Sequence, residues 1–386
     1  MNDTSKFPDP TYRDTVLAPL FEGVKQHYAG HMGAINQAHL VMLSETGILG
    51  AGEARSIAGA LRDIEAEVDI DALRYTGEHE DYFFLVEAEL RARLGDLGGA
   101  LHTARSRNDM DHTLFKMALR NRAEAMQAQI LDLARALLAK AELEKSTLIV
   151  AYTHGQPAQP STFGHYLGAA VEVLLRDAAR LDAAIDALGH CPMGAAAITT
   201  SGFPIDRARV ADLLGFKGPL LNSYGCIASV DYVTGLYSAV KLVFLHLGRL
   251  IQDLQFWSAF EVGQLYVPNA LVQVSSIMPQ KRNPVPIEHM RHLSSVTAGR
   301  CDTGAATSDR DAAGLFDQCR PGARHDRSRL YHHHRTGRYA GARRRPELPS
   351  GASRRRPHRQ CGDRGGPAAG PGLCRLRRGL CRDDRA

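Results

Sequence analysis

Eight large apolar residues, Val233, Leu236, Val240, Val243, Leu247, Leu250, Leu254 and Trp257, follow one another at steps of three and four. That spacing keeps one helix face apolar over more than three heptads, and at 1.5 Å per residue it predicts a helix roughly 40 Å long. A second seam runs Leu167, Val171, Leu174, Ala178, Leu181, Ile185, Leu188, and a looser third one Met126, Ile130, Leu133, Leu137. No strand-type alternation of comparable length interrupts residues 1–300. Three such stripes require helices packed lengthwise, so the expected fold is all-α with a long central bundle. Stripes this wide also imply association with other subunits. Shorter patterns such as "ARSIAGALRDIEAEV" read as a helical N-terminal domain. The expected division is 1–105 for that domain, 106–302 for an incomplete bundle domain and 303–386 for a tail.

Helical periodicity stops near Thr303. Residues 301–386 carry 20 Arg and no Lys against 9 acidic residues, a net of +11, whereas residues 1–300 carry 27 basic and 33 acidic residues, a net of −6. The formal charge of +5 therefore averages two unlike sequences. The tail has no Ile, Val, Met or Trp, so it cannot bury enough apolar surface to offset its chain entropy and is expected to be disordered or aberrant. Three readings compete for it. It is an Arg-rich nucleic-acid arm, a metal segment built on "YHHHR" and the cysteines, or out-of-frame translation of a GC-rich region. The cysteine spacing does not suit zinc, and the abrupt loss of periodicity favours the third. A chain carrying such a tail is expected to fold poorly and to be inactive.

No apolar run approaches the ~18 to 20 residues that span a bilayer. The N-terminus "MNDTSKFPDPTYRDTV" lacks the apolar core of a signal peptide, so a cytoplasmic location is expected, with no membrane partner.

Polar clusters sit where the long helices begin. "LHTARSRNDMD" (101–111) offers Ser, Asn and Asp as capping residues. Its two arginines flanking Ser106 also suit an anion site at a helix N-terminus, and these residues alone leave both readings open. "AYTHGQPAQPSTFGHYL" (151–167) reads as a turn built on Pro157 and Pro160, with His154 either incidental or functional. "VSSIMPQKRNPVPIEH" (274–289) is the strongest signal. Its serines 275 and 276, Lys281, Asn283 and Glu288 supply a proton acceptor, a fixed positive charge, an amide and a carboxylate. Elimination beside a carboxylate needs that set: a base for the carbon-bound proton, positive charge and hydrogen bonds for the dianion that develops, and an acid for the leaving group.

At these residues the chain resembles the fumarase/aspartase superfamily. "SSIMPQKRNPVPIEH" matches its signature, and "HTARSRND", "YTHGQPAQPSTFGHYL" and "CPMGAAAITTSGFPIDR" are similar to the argininosuccinate lyase branch. The resemblance covers roughly residues 15–302, in family order. It implies a helical homotetramer whose active sites each draw on three subunits, a small-molecule substrate, and no cofactor or metal. A nucleic acid is not the expected partner. It also implies roles. Ser275 is the base on a closing loop, Lys281 and Asn283 hold the carboxylate whose charge grows, His154 paired with Glu288 and Thr153 serve the leaving group, and Ser106, Arg107 and Asn108 bind substrate carboxylates. The implied reaction is β-elimination of fumarate from an N-substituted aspartate, with argininosuccinate the leading substrate. A related lyase for another N-substituted aspartate, such as an aminopolycarboxylate, is the alternative, followed by a non-enzymatic structural or nucleic-acid-binding relative. One departure from the pattern, Val274 for a glycine, should stiffen the loop hinge; the others, Phe83 for a histidine, Ser229-Val230 for an Asp-Arg pair and Met32 for an acidic residue, concern the amine side.

Overall fold

The computed structural model of the protein describes residues 7–306. The tail readings concern residues that lie, from position 307 on, outside this range. The chain opens with α1 (Pro10–Tyr12), a π-helical turn (Arg13–Leu17), α2 (Ala18–His27), α3 (Ala29–Glu45), α4 (Ala51–Glu67) and α5 (Tyr82–Leu94). A 3-10 segment, Gly95–His102, leads into α6 (Arg107–Leu143). A hairpin of β1 (Leu148–Thr153) and β2 (Gln156–Thr162) then turns the chain into α7 (Phe163–Ala187). The two-residue strands β3 (His190–Cys191) and β4 (Gly218–Pro219) flank α8 (Arg207–Leu213) and pair in parallel. After α9 (Ser223–Ala228) come α10 (Asp231–Trp257), the short antiparallel pair β5 (Gln273–Val274) and β6 (Arg282–Asn283), and α11 (Val285–Ala306).

The three seams become the three long helices. α6 has 37 residues, about 55 Å at 1.5 Å per residue. Along α10 the seam buries Val233, Leu236, Val240, Val243 and Trp257, with Leu247, Leu250 and Leu254 half-buried. α7 buries Leu167, Val171, Leu174, Ala178 and Leu181. A fully buried carboxylate, Asp177 of α7, ties the two helices together by accepting hydrogen bonds from His246 Nδ1 of α10 and from Arg180, each at 2.7 Å. One apolar core runs from Phe21 to Cys301 and takes in α3, α4 and α5 as well as the bundle. Among the described residues, no helix is long and apolar enough to cross a membrane.

The 148–162 hairpin corrects the reading of Pro157 and Pro160 as turn residues. Both lie in β2, opposite Tyr152 and Val150. A two-stranded ribbon has only edges, so a proline can turn its missing N–H outward without losing a ladder bond. The chain reverses instead at His154-Gly155, whose φ angles are +53° and +74°, the two left-handed residues that a tight hairpin turn needs.

The hairpin meets the bundle where space is tight. A Cβ on Gly164, the second residue of α7, would stand 2.4 Å from Ala141 O and 2.7 Å from Lys145 Cα. Gly164→Ala should therefore destabilise the protein by about 1–3 kcal/mol, read as a lower urea midpoint. Gly59→Ala, inside α4 with open space around it, should raise that midpoint, since alanine exceeds glycine by roughly 1 kcal/mol in a helix interior.

Candidate active site

The sequence-predicted residues fall on three separate elements. Ser106 is the N-cap of α6, its hydroxyl accepting from Asn108 N at 3.3 Å, while its own N–H donates to Asp109 Oδ1 at 2.9 Å. These reciprocal bonds form a capping box and occupy two of the backbone donors that start the helix. Arg107 reaches back to the turn before α5, placing its guanidinium 3.0 Å from Glu80 Oε1 and 2.7 Å from Asp81 Oδ2, over the ring of Phe84. Burial works against its charge, but Asp81 and Glu80 outweigh that and hold its pKa above the ordinary value. Asn108 donates from Nδ2 to Ala197 O at 2.9 Å.

Thr153 and His154 occupy the exposed tip of the β1–β2 hairpin. The hairpin is aimed by the far end of α10. Gln264 pairs with both the N–H and the C=O of Val150, Tyr152 meets Phe256 edge to face at 5.1 Å, and Tyr166 donates to Asp253 at 2.8 Å. Phe163 and Tyr166 both pack on Trp257, the last residue of the seam.

The third element, the loop between β5 and β6, carries Ser275 and Lys281. Asn283 lies within β6, paired with Gln273, and Glu288 sits exposed in the first turn of α11. Ser275 Oγ accepts from Met278 N at 3.2 Å, so a backbone N–H already faces the oxygen that would carry negative charge as a base. Arg282 fixes the base of this loop. It bonds to Asn269 Oδ1 and to Val267 O and lies 4.7 Å over the ring of Tyr266. Among the described residues, no hydrogen bond or ion pair joins His154 to Glu288, or the 106–108 turn to the 275–283 loop. None of them forms a group of three His, Cys, Asp or Glu side chains placed to hold a metal ion.

Beneath Ser106–Asn108 lies a polar layer of which sequence reading singled out only Arg105, as one of two arginines flanking an anion site; the structure turns it inward instead. Asp109 is fully buried, and its Oδ2 accepts from Gly194 N at 2.9 Å and Ala196 N at 2.8 Å. Burial raises its pKa to about 6 against the pull of those N–H donors. Arg105, also buried, donates to Asn36 of α3 at 2.8 Å, and burial lowers its pKa to about 10. His39 Nε2 donates to Thr103 O at 2.9 Å and leaves Nδ1 buried with no hydrogen-bond partner among the described residues. The only local signals were polar residues at core positions of α3 and α6. Two of the departures also take on a different meaning here. Phe83 and Met32 are each 5% exposed and belong to the core, so within this chain they pack rather than line a cleft.

A family described as Lyase matches residues 24–299. The chain belongs to this lyase family. Within the fumarase/aspartase superfamily it falls in the argininosuccinate lyase branch. It is 65% identical over 303 residues to an argininosuccinate lyase 2 of Agrobacterium fabrum, covering 78% of this chain and 60% of that one. It is 42% identical over 258 residues to an argininosuccinate lyase of Thermus thermophilus, covering 66% and 56%. The lyase chain thus spans about 60% of the length of the first of these relatives and less of the second. Among solved structures it is similar to an EDDS lyase in complex with formate, with a TM-score of 0.67 and 29% identity over 81% of this chain and 67% of that one. A class II fumarase of Schistosoma mansoni shares the fold alone, with a TM-score of 0.61 and 16% identity over 78% and 73% of the chains.

The buried His39 makes stability depend on pH. Burial, reinforced by Arg105, lowers the His39 pKa from 6.5 to about 3. The unfolded chain therefore takes up a proton at this residue below about pH 6.5 that the fold refuses, so stability is lost as pH falls from there toward 3. His39→Gln should flatten the decline in urea midpoint between pH 7 and pH 5. Asp109 works in the opposite sense, because its raised pKa makes its contribution grow as pH falls below about 6 toward 3.8.

Proposed function

We propose that this chain carries the machinery of a carbon–nitrogen lyase that releases fumarate from an N-substituted aspartate, with argininosuccinate the substrate and arginine the second product. The carrying observation is that Ser275 and Lys281 sit on one short loop, with Asn283 in the strand that ends it beside the anchoring Arg282, in a chain 65% identical to an argininosuccinate lyase. In this reading Ser275 takes the proton from the carbon beside the carboxylate that Lys281 and Asn283 hold. The electron pair becomes the new double bond, the carbon–nitrogen bond breaks, and the departing nitrogen receives a proton from His154, polarised by Glu288, with Thr153 orienting it. Ser106, Arg107 and Asn108 hold the remaining carboxylate. The serine is a competent base only when positive charge and excluded water favour its alkoxide. The division at about residues 105 and 302 falls beside the start of α6 and near the end of α11, and it supports treating 106–302 as the catalytic bundle.

The three motif clusters lie on three separate elements, and a homotetramer in which each site draws on several subunits would bring them together. A cytoplasmic enzyme follows from the substrate class. No cofactor or metal enters the proposed steps.

Fumarate absorbs near 240 nm in the ultraviolet, so release is read directly. With the sequence beyond residue 302 restored in frame, argininosuccinate should give fumarate, and ethylenediamine disuccinate, the substrate type suggested by the likeness to an EDDS lyase, should give less. Fumarate from the second alone would transfer the reading to aminopolycarboxylates; none from either, with folded protein, would overturn it. Ser275→Ala and Lys281→Met should each lower turnover by about a hundredfold or more, and His154→Asn by less. Mixed oligomers of Ser275→Ala and His154→Asn subunits should recover part of the activity, and no recovery would argue against shared sites.

A further inference from the structure

Five of the buried polar side chains, Asn36, His39, Arg105, Asp109 and Thr113, gather at the entry to α6. An apolar core would be easier to build there, because buried charges lose their hydration and repay it only through close partners. What this layer holds is backbone on two sides. Asp109 Oδ1 takes Ser106 N, while Oδ2 takes Gly194 N and Ala196 N from a segment more than eighty residues away. That segment is bent by left-handed residues at Gly194 (φ +84°), Ala196 (φ +52°) and Thr200 (φ +65°), and Thr200 Oγ closes it by donating to Gly194 O at 2.8 Å. Asn108 Nδ2 donates to Ala197 O in the same segment. Arg105 stands behind the carboxylate and is itself held by Asn36.

We propose that Asp109 is a positioning residue that clamps residues 106–108 and 194–197 into one rigid cradle for the substrate's carboxylate. It touches no substrate; it acts through the backbone on both sides of it. This rests on the lyase reading above, since that reading makes 106–108 a binding element. A carboxylate suits the task because its two oxygens accept three N–H donors at once, and Asn would keep only one oxygen as an acceptor. A strained segment with three left-handed residues needs such over-determination to persist.

The test uses the full chain with Asp109→Asn and, as a change that leaves the charge in place, Thr200→Val. Hydrogen exchange should show faster exchange at 106–108 and 194–197 in Asp109→Asn, with protection kept in α10, and a smaller change in the same segments for Thr200→Val. Fumarate release from argininosuccinate should show KM raised about tenfold or more in Asp109→Asn with kcat within about twofold, the size expected when hydrogen bonds to a charged group are lost and only binding suffers. Unchanged exchange at 194–197 in both variants would overturn the clamp. Faster exchange with unchanged KM would overturn the positioning role and leave a purely structural one. If the parent chain releases no fumarate, the lyase reading fails separately, and the clamp stands or falls on exchange alone.

Discussion

Lengthwise packing of α6, α7, α10 and α11 is the constraint on which everything else in this structure depends. A large apolar side chain contributes about 1.5–3 kcal/mol when fully buried, and five such residues of the α10 seam are buried. That gross contribution rivals the entire net stability of an ordinary domain, about 5–15 kcal/mol. Helices held this way behave as rods, and apart from the buried Asp177–His246 tie the polar motifs of the proposed site collect where they begin and end. Ser106 starts α6, the His154 hairpin feeds α7, and Glu288 opens α11. Trp257 shows the coupling directly, because the last residue of the seam is also the surface on which Phe163 and Tyr166 rest as the hairpin turns into its helix.

The parts legible in the sequence were those governed by local period. The seams at steps of three and four became helices within a few residues of the expected ends, and the polar motifs lay at their termini. The hairpin was missed because its strands are short, exposed and proline-bearing, and because His-Gly replaces the Asn-Gly that usually announces a tight turn. Asp109 and Arg282 were passed over for another reason. Asp109 reads locally as an ordinary helix-start acid, yet its partners Gly194 and Ala196 are fixed only by the tertiary fold. Arg282 reads as a charged neighbour of Lys281, and its grip on Asn269 and Val267 is set by how the chain doubles back. Phe83 and Met32 were read only as departures from the family pattern, and their burial in the core, 5% exposed each, is a tertiary fact that composition could not supply.

The chemical assignment of Arg107 changes character once its neighbours are known. Glu80 and Asp81 already balance its charge, and Ser106 and Asp109 already engage donors at the start of α6. A substrate carboxylate arriving there competes with protein carboxylates, so this element contributes directionality and discrimination more than raw attraction. Lys281, exposed on the β5–β6 loop, makes no ion pair among the described residues and is the positive charge of the proposed site that protein carboxylates leave open. This division suits elimination, in which the charge that grows during reaction sits on one carboxylate and the other needs only to be held.

The composition of the β5–β6 loop bears on how a serine can act as a base. Val274 and Ile277 are 64% and 83% exposed, and Met278 is 40% exposed, beside Ser275 and Lys281. Apolar groups left in water next to a lysine favour any arrangement that covers all of them together. In the proposed mechanism the loop closes over substrate, and the same movement that covers Val274, Ile277 and Met278 removes water from Ser275. Exclusion of water strengthens the field of Lys281 at the serine oxygen, and the Met278 N–H is already directed at that oxygen. In that mechanism hydrophobic burial would supply the driving force for a polar result, because the closed loop would be where an alkoxide is least costly.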